Sequence, residues 1–116
     1  MKKIYILLFI LLINQLHADW VKTNYPSTGY AFSFYANENY MLVGSLSTGI
    51  YLSTDKGVTW QNSTNGVSTA QIWSVKIIDN VFYAGSTSGK LFKSTDFGVT
   101  WVLSNSGIAS TTIIRD

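Results

Sequence analysis

The chain has no cysteine, a single histidine (His17) and a single arginine (Arg115). Without cysteine no disulfide can form, so the fold must hold by packing alone. His17 falls in an N-terminal stretch that reads as a leader. Met1-Lys2-Lys3 supplies a basic start, Ile4 to Ile13 a short apolar run, and Leu16-His17-Ala18 a small residue for cleavage. Ten apolar residues are too few to span a bilayer as a helix. The expectation is a signal peptide over residues 1–18, with export to the periplasm, the cell surface or the medium and no stable membrane insertion afterwards.

Removing residues 1–18 takes Lys2, Lys3 and His17, and leaves six basic and six acidic side chains. The excess positive charge therefore belongs to the leader, and no basic patch remains to argue for nucleic acid. A mature chain lacking His and Cys cannot build a Ser-His-Asp or Cys-His nucleophile pair. It also lacks the imidazole and thiolate ligands of zinc and copper sites. The expectation is no metal, no cofactor and no catalytic residue.

What the chain does contain is a repeat. Ser53-Thr54-Asp55-Lys56-Gly57-Val58-Thr59-Trp60 returns 41 residues later as Ser94-Thr95-Asp96-Phe97-Gly98-Val99-Thr100-Trp101, with only Lys56/Phe97 changed. A fixed period of this size marks one supersecondary unit per period. At that offset Ala31 to Ala36 aligns with Ile72 to Ile77, and both alternate in the period-two manner of a strand. Asn37-Glu38-Asn39 and Ile78-Asp79-Asn80 read as the following turns. Tyr40 to Ser45 and Val81 to Ser86 read as second strands. Ile50 to Ser53 and Lys90 to Lys93 read as third strands, and the stretches from Val58 to about Asn62 and from Val99 to about Leu103 as fourth strands. Four short strands per period, joined by hairpins, describe a propeller blade. The predicted class is all-β: two four-stranded repeats, over 30–62 and 71–103, with partial units at both ends.

The octapeptides resemble the Asp-box, also called the BNR repeat, with the pattern Ser-x-Asp-x-Gly-x-Thr-Trp. That family includes sialidases, sortilin-type receptors, xyloglucan-degrading glycosidases and photosystem II assembly-factor-like proteins. The resemblance implies an Asp-box β-propeller in which this turn lies at the outer edge, between the third and fourth strands, away from the central ligand site. The chemistry of the residues also favours a structural role. Ser53, Ser94, Asp55 and Asp96 can accept backbone N–H bonds within a tight turn. Gly57 and Gly98 permit a positive φ. Thr59 and Thr100 suit the strand that leaves the turn, and Trp60 and Trp101 offer apolar surface for packing.

A sialidase-like site would need several arginines, and Arg115 alone cannot supply them. A two-carboxylate glycosidase needs acids facing one another across a sugar. With Asp55 and Asp96 in turns, Glu38 and Asp79 are the best-placed remaining pair, and as equivalent hairpin-turn residues they are more simply solvated. Tyr35, Phe34 and Trp73, on the first strands, are the candidate ligand-facing aromatics; inter-unit core is the competing fate of Phe34 and Trp73.

The ends add two further expectations. Residues 19–24 resemble the stretch starting at Trp60 or Trp101, as a fourth-strand piece of another blade. Residues 112–116 align with Gln71 to Val75, as the start of the next blade. Either further blades in the same chain, lost by truncation, or other copies of this chain would close the ring. The leading function is an exported, non-catalytic propeller module that binds or scaffolds protein or glycan. The alternatives are the first blades of a glycoside hydrolase whose catalytic residues lie elsewhere, and a spacer within a longer surface protein.

Overall fold

The computed structural model describes residues 21–26, 29–69, 71–109 and 113–115. The leader expected at 1–18, and Asp19, Trp20, Thr112 and Asp116, lie outside the described residues. Two four-stranded antiparallel sheets make up the fold, and among the described residues there is no helix. The first sheet contains β1 (Ala31–Ala36), β2 (Met41–Ser45), β3 (Ile50–Ser53) and β4 (Gln61–Asn62). The second contains β5 (Ile72–Ile78), β6 (Val81–Ser86), β7 (Leu91–Ser94) and β8 (Val102–Leu103). Each sheet keeps sequence order, so every connection is a hairpin between neighbours.

The first hairpins use different turn chemistry at equivalent places. Between β1 and β2, the Asn37 carboxamide oxygen accepts the amides of Asn39 (2.9 Å) and Tyr40 (2.8 Å). Between β5 and β6, Asp79 and Asn80 both adopt positive φ (48° and 64°), the two-residue geometry that matches strand twist. This tighter turn lets Ile78 pair with Val81, so Ile78 belongs to the ladder and not to the turn expected for it. The fourth strands are also shorter than expected, beginning at Gln61 and Val102. The residues before them are held by the turn itself: the Val58 and Val99 amides bond to the Asp55 and Asp96 carbonyls, and those of Thr59 and Thr100 to the aspartate carboxylates.

The core lies between the sheets. Tyr35, Leu42, Leu52 and Gln61 form one cross-strand row on the first sheet, on the face turned to the second. Val75, Ala84 and Phe92 form the answering row, with Ile77 and Phe82 beside it. Leu42, Ile50, Ile72, Phe82 and Ala84 are wholly removed from solvent. The second sheet's side chains press close on the first at Gly44, where an added Cβ would lie 2.7 Å from the Ile72 Cγ2 and 3.2 Å from the Val75 Cγ1. Gly85, its counterpart, is covered by Ile114 in the same way, at 2.6 Å from Cγ2. At one end an aromatic trio joins the sheets: Tyr40 meets Phe82 edge-on (5.2 Å) and stacks on Phe97 (5.7 Å, 19°). No helix of the described residues is long and apolar enough to cross a membrane.

Candidate functional site

The two octapeptides fold into the same hydrogen-bonded turn. Ser53, at the end of β3, donates its hydroxyl to Asp55 Oδ1 (2.8 Å) and accepts the Gly57 amide (2.8 Å). Asp55 in turn accepts the Thr59 amide (2.8 Å) on Oδ1 and the Thr59 hydroxyl (2.5 Å) on Oδ2. In the second copy Ser94 donates to Asp96 (2.7 Å) and accepts from Gly98 (2.8 Å), while Asp96 accepts the Thr100 amide (2.9 Å) and hydroxyl (2.5 Å). Gly57 (φ 85°) and Gly98 (φ 83°) take the left-handed conformation that a side chain opposes. The preceding residue does so too, Lys56 at 59° and Phe97 at 56°, so the one position that differs between copies is itself left-handed.

These bonds set the charge of the acids. The Thr100 hydroxyl first, then the Thr100 amide and the Ser94 hydroxyl, pull the Asp96 carboxyl from 3.8 down to about 2. The Thr59 hydroxyl and then its amide lower Asp55 in the same direction. Both oxygens of each carboxylate are thus committed to the turn. A hollow of about 450 Å³ brings Glu38 to the same rim as Asp55, whose carboxylate accepts three hydrogen bonds from its own turn. Asp79, the other acid considered with Glu38, sits in the β5–β6 turn of the other sheet.

The tryptophans of the two turns have different surroundings. Trp101 is 2% exposed, and its Nε1 donates to Ser63 Oγ (3.2 Å). Ser63 follows β4 of the first sheet, and its own hydroxyl donates to the Gly98 carbonyl (2.5 Å). The Asn65 carbonyl accepts the Trp101 amide (2.8 Å), so the tail of the first sheet is clasped to the turn of the second. Trp60 is half-buried and meets Tyr25 edge-on (5.6 Å), and its Nε1 is buried without a partner. Thr23 and Asn24 approach this turn as Ser63 approaches the other. The Asn24 amide group donates to the Val58 carbonyl (3.1 Å), and a Cβ on Gly57 would lie 3.2 Å from Thr23 Cγ2. Residues 21–26 carry no strand assignment.

A cluster of aromatic side chains lies at β1 and β5, edge strands of the two sheets. Each carries a register irregularity at the same place, between Ala31 and Ser33 and between Ile72 and Ser74. Phe32 and Trp73 are the residues skipped by the ladder, and a bulge of this kind re-aims the side chain it contains. Their rings meet at 4.2 Å with a 44° tilt, and the Arg115 guanidinium lies 5.0 Å over the Trp73 ring. Phe32, Trp73 and Arg115 form a ladder with Phe34 beside it, lining a hollow of about 430 Å³ with Ser33 and Val75. Phe32 is 48% and Phe34 60% exposed. The Ser33 hydroxyl is buried there without a hydrogen-bond partner, whereas its counterpart in Ser74 donates to the Ile114 carbonyl (3.2 Å).

Of the three aromatics singled out from the sequence, Phe34 and Trp73 therefore meet at this hollow. Tyr35 does not: it is half-buried against the core between the sheets. Phe32, Ser33 and Arg115 were not singled out. Phe32 stands one period before Trp73, and that alignment was the available signal, but nothing in either strand announces the bulge. Among the described residues no three His, Cys, Asp or Glu side chains converge to hold a metal. Comparison of the chain with family models, curated proteins and solved structures returns no match.

Proposed function

We propose that the chain is an exported Asp-box β-propeller module, non-catalytic in its own residues, that binds protein or glycan along the inner edge of its blades. The observation that carries this reading is the bulged ladder. Equivalent first strands both extrude an aromatic ring, and the rings form a continuous surface flanked by exposed Phe34 and by the Arg115 cation. Large aromatic faces with a guanidinium beside them serve recognition of sugar rings and of protein side chains alike. Two facing sheets of identical strand order, with the octapeptide between their third and fourth strands, support the propeller part. The non-catalytic part is supported by carboxylates whose oxygens are occupied within the turns. The basic and apolar start of the sequence supports export.

A glycan array probed with the chain, alongside Phe34→Ala and Trp73→Ala variants, tests it. Retention of a glycan that both variants lose, with no released sugar, is the expected result. Hydrolysis products would replace the reading with a glycoside hydrolase, and a glycan retained equally by both variants would remove the ladder from the site.

A further inference from the structure

The tail of the first sheet that clasps Trp101 turns on the pair Asn65-Gly66, and Asn65 is the chain's only asparagine followed by glycine. The Val67 amide bonds to the Thr64 carbonyl (2.9 Å), so the pair forms the middle of a β-turn, with Gly66 left-handed at φ 89°. Both residues are exposed. The carboxamides of Asn37, Asn62 and Asn105 are each held by backbone amides; among the described residues no such bond holds that of Asn65. One period on, the same turn runs from Asn105 to Ile108, closed by the Ile108 amide on the Asn105 carbonyl (2.9 Å). There Ser106 stands in place of Asn65. The Asn105 carboxamide is fixed at both ends, accepting the Leu91 amide (2.6 Å) and donating to the Gly89 carbonyl (2.6 Å). The surroundings differ too. The Asn65 carbonyl accepts the Trp101 amide (2.8 Å), and a Cβ on Gly66 would run into the Trp101 carbonyl, whereas one on Gly107 would meet nothing within 4 Å.

We propose that Asn65-Gly66 is a site of spontaneous, one-way backbone conversion, and that the conversion undoes the clasp on Trp101. Glycine has no side chain to shield its own nitrogen, and the carboxamide that nitrogen attacks is exposed. The Gly66 nitrogen bonds to Asn65 Cγ and closes a cyclic imide, while the carboxamide nitrogen leaves as ammonia and takes the Gly66 proton with it. Water then opens either imide C–N bond, its hydroxyl going to carbon and its hydrogen to the Gly66 nitrogen. Opening at Cγ gives aspartate on an unchanged backbone. Opening at the Asn65 carbonyl carbon gives isoaspartate: the chain then runs through Cβ and Cγ, one carbon longer, and the former carbonyl becomes a free carboxylate. That carbonyl is the group that holds the Trp101 amide. The added carbon also moves Gly66 from the place where only its missing Cβ lets the Trp101 carbonyl pass. The reaction concerns the clasp and not the aromatic ladder, so it stands or falls apart from the binding reading.

The full chain is aged at mildly acidic and mildly alkaline pH, and its peptides are weighed and labelled with an isoaspartyl methyltransferase. Asn65→Ser, which installs the residue of the second turn, and Asn65→Asp are treated alongside. The expected result is amide-to-acid conversion at Asn65 ahead of every other asparagine. It is faster in alkali, because loss of the Gly66 amide proton starts the reaction, and Asn65→Ser shows none at this position. By hydrogen exchange, the Trp101 amide of the isoaspartyl chain should exchange about tenfold faster, as loss of one hydrogen bond implies. In Asn65→Asp, whose backbone is unaltered, it should keep the wild-type rate. Conversion of the urea-unfolded chain without conversion of the folded one would overturn the proposal, because the fold would then shield the pair. So would earlier conversion at another asparagine, or Trp101 protection unchanged in the isoaspartyl chain. Equal acceleration in Asn65→Asp would assign the loss to charge and remove the backbone account.

Discussion

Asp96 illustrates how a charged side chain becomes part of the backbone architecture. Its carboxylate replaces a strand partner for the Thr100 amide, and the Thr100 hydroxyl completes the loop. Because these bonds favour the ionised form, the folded value of about 2 lies below the ordinary 3.8. A group depressed in this way contributes stability that is fully present above 3.8 and is lost as the pH falls through about 2. The thermal midpoint of the wild-type chain is therefore expected to fall across that acid window. Asp96→Asn should show a smaller fall, because its side chain cannot titrate. Thr100→Val should move the Asp96 titration back up toward 3.8, read from the carboxyl carbon shift against pH. An unshifted titration would assign the depression to something other than Thr100. The left-handed residue before each glycine gives a further expectation. Lys56→Gly, at a φ of 59° with an exposed side chain, should raise stability or leave it unchanged, measured by chemical denaturation.

Within the turn-and-strand elements, Ser63 ties the two sheets together. It donates to Gly98 and accepts from Trp101, and it is buried. Ser63→Ala leaves a buried indole N–H and a carbonyl without this partner, an expected loss of about 1–3 kcal/mol in unfolding free energy. Trp60 already lacks such a bond, so a substitution at Thr23, its nearest counterpart to Ser63, should cost less. A Ser63→Ala variant as stable as wild type would show the clasp to be dispensable. The octapeptide turns were legible in the sequence because all their hydrogen bonds close within four residues. Ser63 was not, because its partners lie 35 and 38 residues away and a lone serine in a polar loop carries no periodic signal. The overlong fourth strands have a related cause. Thr59 and Thr100 have strand-like side chains, but their amides are already taken by aspartate.

At the scale of the molecule, the distance between the sheets is set where side chains are missing. Gly44 lets Ile72 and Val75 approach the backbone of β2, and Ser33 fills the remaining space. Gly44→Ala should be destabilising by about 1–3 kcal/mol, the range for forcing a methyl into a packed interior. A denaturation midpoint unchanged from wild type would mean that the sheets can part at no cost. The repetition of glycine at 44 and 85 was visible one period apart, but its purpose was not, since a pattern of strands does not say which face meets which sheet. The alternation also left Tyr35 open as a ligand-facing residue. The row it shares with Leu42 and Leu52 settles its side of the sheet.

The clasp has a consequence for the order in which the chain is made. Synthesis completes all four strands of the first sheet at Asn62, while the residues that hold its tail, Gly98 and Trp101, are still to come. During that interval Leu42 and Ile50 lack the Ile72, Val75 and Phe82 surface that covers them, and a bare sheet face invites pairing with the wrong strand. The first sheet is thus finished in hydrogen bonds before it is finished in packing, and Trp101, emerging 39 residues after Asn62, both covers that face and fastens its tail.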